Sequence, residues 1–504
     1  MASTDAQRFS TRAGLLLSVI GIAVGTGNIW RFPRIAAQNG GEEGSGAFLI
    51  AWVVFLLLWS IPLIIAEYAL GRKGRKGVVG TLAKIAGKQY GWMGAFIGFV
   101  ATAIMFYYSV VAGWCIFYFI EMLTNPLPLT NEAAEGVWDG FQAGGTPVFF
   151  HAMAMGIGAL AVWKGVGSIE RINKVLIPTL LLILVLALIR AITLEGSWDG
   201  IAFLFTPQWE TLAEPQLWLE ALTQNAWDTG AGWGLILTYG AYMQYQHGTV
   251  QNAFITGVGN NIVSLVAAIT IFGTVFAVLG AEMSRGEVLE VMQTAGPAST
   301  GLTFIWMPQL FATIPLGTHL ATLFFLGLAF AAFSSLISMI ELATRVFSDL
   351  GLPRAKAALS VGSVGFLLGI PSAVNLDFFA NQDFVWGVGL MISGAMVAFA
   401  VIRYGVNSFR KDVVEGGPGD WRAGRAWEWL IGIAVPVQAV VLLVWWLWQS
   451  ATIYAPDTWF NPLEPFSVMT VLVQWGAVLA ILLLLNKWLV NRTLYEPLSN
   501  PSQK

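Results

Sequence analysis

Residues 21–33 read Gly-Ile-Ala-Val-Gly-Thr-Gly-Asn-Ile-Trp-Arg-Phe-Pro, and they interrupt an otherwise apolar segment near the N-terminus. Glycines, Asn28 and Arg31 within one membrane-length segment are costly as a continuous lipid-facing helix. Residues 224–234, Gln-Asn-Ala-Trp-Asp-Thr-Gly-Ala-Gly-Trp-Gly, repeat this combination, with Asp228 as the ionisable residue. Close packing of the glycines against neighbouring helices is the simpler interpretation. Two clusters that each carry a polar or acidic side chain favour unwound backbone instead.

The composition of the chain is that of a multi-span membrane protein. Of its 504 residues, 56% are hydrophobic and 11% are charged, whereas roughly a quarter are charged in a soluble domain. These figures exclude a soluble enzyme and a disordered chain, and a net charge of −3 gives no basic surface for nucleic acid. A membrane helix needs about 20 apolar residues. On this basis we predict about twelve spans, at residues 13–38, 47–71, 91–123, 147–163, 173–194, 216–243, 250–281, 316–348, 353–371, 383–403, 427–450 and 466–490.

The basic residues predict the orientation of these spans. With the N-terminus inside, 22 of the 26 Lys and Arg residues fall on the inside, and the predicted outside loops are acidic. Because cytoplasmic loops are enriched in Lys and Arg, both termini are expected in the cytoplasm. The predicted organisation is a cytoplasmic segment at 1–12, a five-helix unit at 13–194, an outside loop at 195–215, a second five-helix unit at 216–403, two further helices at 404–490, and a cytoplasmic tail at 491–504.

The two interruptions occupy the same place in two successive five-span units, near the middle of the first and the sixth span. Five is odd, so the second unit has inverted topology relative to the first. Paired, glycine-interrupted spans in inverted repeats indicate a central substrate and ion site in a secondary transporter. Unwound backbone there exposes carbonyl oxygens to cations and helix N-terminal amides to a carboxylate.

These residues also carry a family resemblance. The stretches that carry it are residues 25–33, Asn39-Gly40-Gly41, Tyr107-Tyr108 and Trp114, Ile169-Glu170-Arg171, residues 233–242, and residues 331–335. In these stretches, in order and along nearly its whole length, the chain resembles the neurotransmitter:sodium symporters. The resemblance implies an all-α integral membrane protein, a five-plus-five inverted repeat with broken helices 1 and 6 and two extra helices.

The resemblance also implies two sodium sites built from oxygen ligands, which hard cations prefer. The first would use the Ala23 carbonyl together with the side chains of Asn28, Asp228 and Asn260. The second would use the carbonyls of Gly21, Val24 and Ala331 and the hydroxyls of Ser334 and Ser335.

Asp228 departs from the family pattern, in which a small hydroxyl residue is usual. In animal members that hydroxyl helps to bind chloride, and the other chloride positions correspond here to Trp52, Gln224 and Ser264. A fixed negative charge at Asp228 repels an anion in this low dielectric. We therefore expect transport without a chloride requirement, with Asp228 as the counter-charge; a simple cap at the helix break is the alternative role.

The expected substrate is an α-amino acid with a neutral side chain. Monoamine carriers have an Asp at the position of Gly25, and its absence here favours a substrate carboxylate held by backbone amides and sodium. Apolar and aromatic side chains near it favour an apolar or aromatic substrate. The resemblance implies a pocket formed by Ala23, Thr26, Gly27, Ile104, Tyr108, Trp227, Gly230, Trp233, Ser335 and Met339.

Two gates are implied in the same way, since alternating access needs contacts that form on one side of the site and break on the other. Arg31 and Asp383 would form the outer gate. Asp349 is the acid of the inner gate, and Arg8, which lies out of strict register, is the nearest candidate for its partner. Glu341 adds a second intramembrane acid, with either a functional role or a structural hydrogen bond.

The sequence leaves other functions open. A proton-coupled amino-acid carrier of the same fold and a non-transporting sensor on this scaffold are the alternatives. No nucleophile–base pair, metal-ligand spacing or phosphate loop supports an enzyme. A short outside loop after span 3, without paired cysteines, favours a prokaryotic cytoplasmic membrane. The identity of the amino acid and the oligomeric state stay open.

Overall fold

Long helices account for most of the structure. The computed structural model describes residues 7–293 and 300–495, and within these ranges it contains no strand beyond an isolated bridge between Ser45 and Pro207. Ten of its helices are long and apolar enough to cross a membrane. They are spans 2 (Gly46–Gly74), 3 (Lys88–Thr124), 4 (Thr146–Trp163), 5 (Val166–Ile192), 7 (Val250–Leu279), 8 (Gly317–Asp349), 9 (Arg354–Val374), 10 (Leu376–Tyr404), 11 (Gly424–Tyr454) and 12 (Val468–Thr493).

Two further spans are broken where the glycine clusters predict it. Span 1 consists of Arg12–Ala23, Thr26–Ile29 and Arg31–Gln38, and span 6 consists of Pro215–Asp228 and Leu235–Gly240. Together with the ten continuous helices they make the twelve predicted spans, so the predicted all-α membrane fold is confirmed.

Several helices extend beyond the apolar stretches that predict them. Span 5 begins at Val166 and span 10 at Leu376, seven residues before the predicted starts at 173 and 383. Polar residues at a helix end keep their backbone hydrogen bonds, so hydropathy underestimates helix length. Asp383 consequently lies two turns inside span 10.

Shorter helices connect the spans, and some of the predicted connections fall outside the described residues. The connecting helices are Val78–Ile85, Asn131–Gln142, Ser197–Phe205, Trp209–Ala213, Arg285–Gln293, Leu302–Trp306, Met307–Ala312, Val406–Phe409 and Arg410–Val414. The connection between spans 7 and 8 contains helices on both sides of residues 294–299, which lie outside the described ranges. Residues 1–6 and 496–504 of the predicted terminal segments lie outside them as well.

The bundle has a buried centre and a lipid-like periphery. Spans 3, 8 and 10 are the most enclosed, whereas spans 11 and 12 expose large apolar side chains such as Val440 and Leu484. At one end of the bundle, the Phe9 backbone amide donates to the Tyr242 carbonyl at 3.1 Å, and Thr493 lies against Gly80. We call this end the termini end and the opposite one the far end.

Candidate functional site

A cavity of about 500 Å³ lies between the breaks of spans 1 and 6 and continues toward the far end. Nine of the ten predicted substrate residues line it: Ala23, Thr26, Gly27, Tyr108, Trp227, Gly230, Trp233, Ser335 and Met339. Ile104 does not line the cavity and is fully buried behind it. Val111, two turns further along span 3, does line the cavity.

One corner of the cavity is polar and closely packed. The backbone amide and the hydroxyl of Thr26 lie 3.4 and 3.2 Å from the Tyr108 hydroxyl. A Cβ atom at Gly25 would lie 2.9 Å from Ser335 Oγ and 3.2 Å from Tyr108 Oη. Gly25 therefore keeps open the small space that these hydroxyl groups face, at the start of the short helix Thr26–Ile29.

The opposite side of the cavity is aromatic. The Trp227 and Trp233 rings meet edge to face with centroids 6.1 Å apart, and Trp233 is held by a 3.1 Å hydrogen bond to the Ala226 carbonyl. Trp227 has Arg31 5.0 Å from its ring centroid on one side and contacts Gly387 on the other. This arrangement fixes Trp227 between the cavity and the far end.

The residues of the second predicted sodium site converge between spans 1 and 8. Ser334 Oγ lies 3.3 Å from the Val24 carbonyl and 2.9 Å from the Ala331 carbonyl. Ser335 Oγ lies 3.4 Å from the Gly21 carbonyl. Every predicted member of this cluster thus brings an oxygen to one place, although the residues come from two spans more than 300 positions apart in the chain.

The residues of the first predicted sodium site converge between spans 1, 6 and 7. Asn28 Nδ2 donates to Asn260 Oδ1 at 2.8 Å, and that end of the Asn260 amide also lies 3.1 Å from the carbonyl oxygens of Ala23 and Asp228. These carbonyl and amide groups come from three different spans, and oxygen groups of this kind are the ligands that a hard cation prefers.

The Asp228 carboxylate adjoins this cluster and is only partly satisfied. Its Oδ2 accepts from Gln224 Nε2 at 3.3 Å, while its buried Oδ1 has no hydrogen-bond partner among the described residues. A buried carboxylate oxygen without a partner is costly unless a cation or proton joins it. Two positions of the family's chloride site are already engaged, since Gln224 donates to Asp228 and Ser264 accepts from Asn28 at 2.7 Å.

The two residues predicted to form the outer gate do not pair with each other in the structure. Arg31 and Asp383 both line the cavity, yet within the described part of the chain they form no ion pair. Arg31 lies over the Trp227 ring instead. The cavity therefore stays continuous past these two residues toward Arg34 and Glu220.

The termini end is closed by contacts that differ from the predicted gate. Asp349 pairs with Arg345 at 3.1 Å and accepts from the Gly77 amide at 2.6 Å, so the structure does not join it to Arg8, whose side chain is exposed. Phe9 is fully buried against Tyr239, which closes this end beside Arg8.

Glu341 forms a second closure at the same end. Its carboxylate is fully buried, forms an ion pair with Arg354, and accepts from the Tyr242 hydroxyl at 2.5 Å. This network joins the end of span 6 to spans 8 and 9. Of the two interpretations of Glu341, the structure shows the hydrogen-bonded one.

Glu67 was not recognised as part of the site from its position in the sequence. It is fully buried in span 2, where it accepts from the Gly232 amide at 3.1 Å and the Gly234 amide at 2.6 Å. Both glycines have positive φ, +85° and +77°, so the break of span 6 turns its amides sideways toward this carboxylate. An acidic residue inside an apolar span was the available signal.

A twelve-span helical bundle with two broken helices around a central cavity defines a secondary membrane transporter. The chain belongs to the sodium:neurotransmitter symporter family, whose model matches residues 6–139 and 147–494. It is accordingly a sodium-dependent symporter and a multi-pass membrane protein.

Individual relatives agree with this assignment. An uncharacterised sodium-dependent transporter of Methanocaldococcus jannaschii is 30% identical over 466 residues, covering 88% of this chain and 91% of the relative. The sodium-dependent serotonin transporter of Drosophila melanogaster is 28% identical, covering 81% and 71%. The crystal structure of MhsT in complex with L-phenylalanine matches with a TM-score of 0.76 at 29% identity, over 87% of this chain and 99% of MhsT.

Proposed function

We propose that this protein carries a neutral, apolar or aromatic α-amino acid into a prokaryotic cell together with Na⁺. Two sodium ions would occupy the clusters at the broken helices, and the two gates would open alternately. Both termini would lie in the cytoplasm, which makes the termini end the inner side. The observation that carries this proposal is the convergence of oxygens from distant spans at both breaks, next to one cavity.

The shape and polarity of the cavity support the substrate class. Its polar corner at Gly25, Thr26 and Tyr108 suits a carboxylate. Apolar and aromatic side chains also line it, with Trp227, Trp233 and Met339 among them. The similar transporter MhsT has been crystallised with L-phenylalanine, which agrees with an aromatic or apolar side chain in that space.

The surroundings of Asp228 support chloride independence. A fixed carboxylate already accepts from Gln224, so an anion there would lose a donor and meet a like charge. The unpartnered Oδ1 also suits a proton during the return step, and this is the observation that favours the proton-coupled alternative.

Uptake by the purified protein in proteoliposomes tests these statements. Twenty amino acids are compared under an inward Na⁺ gradient, and the expected substrates are the apolar and aromatic ones. Replacing chloride by gluconate should leave uptake unchanged; a loss of uptake contradicts the role given to Asp228. Uptake driven by a pH gradient without Na⁺ supports the proton-coupled carrier, and Na⁺-dependent binding without uptake supports a sensor.

Matched variants test the pocket. Met339→Ala should change the ranking of substrates, because Met339 lines the cavity. Ile104→Ala is the control, since Ile104 lies outside the lining, and should leave the ranking unchanged. An unchanged ranking in Met339→Ala would contradict this pocket.

A further inference from the structure

Spans 1 and 5 run side by side in the same direction and contact each other at two levels. Near the termini end, a Cβ atom at Gly14 would lie 2.0 Å from Glu170 Oε1. At the level of the second sodium cluster, a Cβ atom at Gly21 would lie 2.9 Å from Ile177 Cδ1. The two contacts are seven residues, or about two helical turns, apart on each helix. The helices therefore keep the same register between them.

Ser18 and Asn173 occupy the middle of this interval. Ser18 follows Gly14 by four residues and precedes Gly21 by three, and Asn173 follows Glu170 by three and precedes Ile177 by four. Residues spaced by three and four lie on one face of a helix. Ser18 and Asn173 consequently face the same interface at the same height.

Both side chains are buried without partners. Ser18 and Asn173 are each 0% exposed. Ser18 Oγ and both the Oδ1 and Nδ2 atoms of Asn173 have no hydrogen-bond partner within residues 7–293 and 300–495. Burying unpartnered amide and hydroxyl groups costs free energy, so packing alone does not account for these residue types between Gly14 and Gly21.

Oxygen groups flank the pair on both sides. Toward the centre lies the second sodium cluster, with the Gly21 carbonyl one turn from Ser18. Toward the termini end lies Glu170, which accepts from the Ser10 amide at 2.7 Å and pairs with Lys174 at 2.7 Å. A cation that leaves the second cluster toward the termini end would thus meet oxygens about every 5 Å.

We propose that Ser18 Oγ and Asn173 Oδ1 form a transient sodium-binding site through which the ion of the second cluster passes on its way to the cytoplasm. This inference rests on the proposed function. Each oxygen replaces a ligand that the ion gives up as it leaves Ser334 and Ser335, as hard cations require. Because both groups are neutral, the site binds weakly enough to release the ion.

The test separates the rate of ion release from the equilibrium binding of sodium. Asn173→Leu and Ser18→Ala remove the oxygens; Leu keeps the branching of Asn at Cγ although its side chain is larger, and Ala removes only the hydroxyl group. Loss of one ligand should slow turnover in proteoliposomes about tenfold. The sodium concentration for half-maximal substrate binding in detergent should stay within about twofold, since the second cluster itself is unchanged. Ser372→Ala is the matched control, because Ser372 is likewise buried and unpartnered but lies in span 9.

A third variant is expected to change the half-saturating sodium concentration, which a packing role alone would not lower. Asn173→Asp places a carboxylate at the transient site, so sodium should bind more tightly and leave more slowly. Its half-saturating sodium concentration is expected to fall while turnover also falls. The proposal is overturned if turnover in the Leu and Ala variants matches the control. It is also overturned if their sodium affinity drops in parallel with turnover. If the unaltered protein shows no Na⁺-driven uptake, the proposed function fails instead.

Discussion

The carboxylate of Glu67 binds two backbone amides at the break in span 6. It accepts from the Gly232 and Gly234 amides at 3.1 and 2.6 Å in a fully buried position. A buried amide that is left without an acceptor costs about 1–3 kcal/mol. Glu67→Ala leaves two such amides, so it should cost about 2–6 kcal/mol. Since Trp233, which lies between the two glycines, lines the cavity, substrate affinity should also fall, roughly a hundredfold or more.

Glu67→Gln provides the graded comparison. Its amide keeps one acceptor oxygen but turns a donor toward the other N–H group, so about half of the free energy should be lost. Substrate binding by calorimetry and thermal unfolding are measured for both variants, with the exposed Glu210→Ala as the surface control. The expected order of affinity is wild type, then the Gln variant, then the Ala variant. Wild-type affinity in the Ala variant, or equal losses in both, would refute the argument.

Two further predictions concern the polar corner and the closure at the termini end. Gly25→Ala should weaken substrate binding by about tenfold or more, because the new methyl group would crowd Ser335 Oγ at 2.9 Å and Tyr108 Oη at 3.2 Å. Unchanged affinity by calorimetry would contradict this. Arg354→Gln should destabilise the fold by about 3–5 kcal/mol, since it leaves the buried Glu341 carboxylate unpaired. Adding Glu341→Gln should restore most of the loss in thermal unfolding, whereas additive losses would count against the pairing.

The broken helices were predictable from local sequence because their cause is local. The glycines disfavour a helix, and Asn28 or Asp228 is unfavourable in lipid. A continuous helix through either segment would therefore be costly. The predicted members of both sodium clusters also lie together in space. Their role as sodium ligands and the two-ion count stay predictions until binding is measured.

The gates were less predictable because their partners depend on packing between spans. Asp349 was expected to pair with Arg8, but it forms an ion pair with Arg345, which lies one turn away on the same helix. Burial of Phe9 against Tyr239 directs the neighbouring Arg8 side chain to the surface instead. The partner of Glu341 likewise comes from span 9, which no sequence pattern brings to it.

By itself, the sequence determined the membrane class, the twelve spans and the positions of the two breaks. These properties follow from hydropathy and from residue types within single segments, which act over one or two helical turns. Tertiary structure alone decided that Val111 and not Ile104 lines the cavity, and that Glu67 holds the break of span 6. The physical reason is that neighbouring helices set both the height at which the cavity meets span 3 and the face of span 2 that meets the break. In a span that is apolar on every side, composition reveals neither.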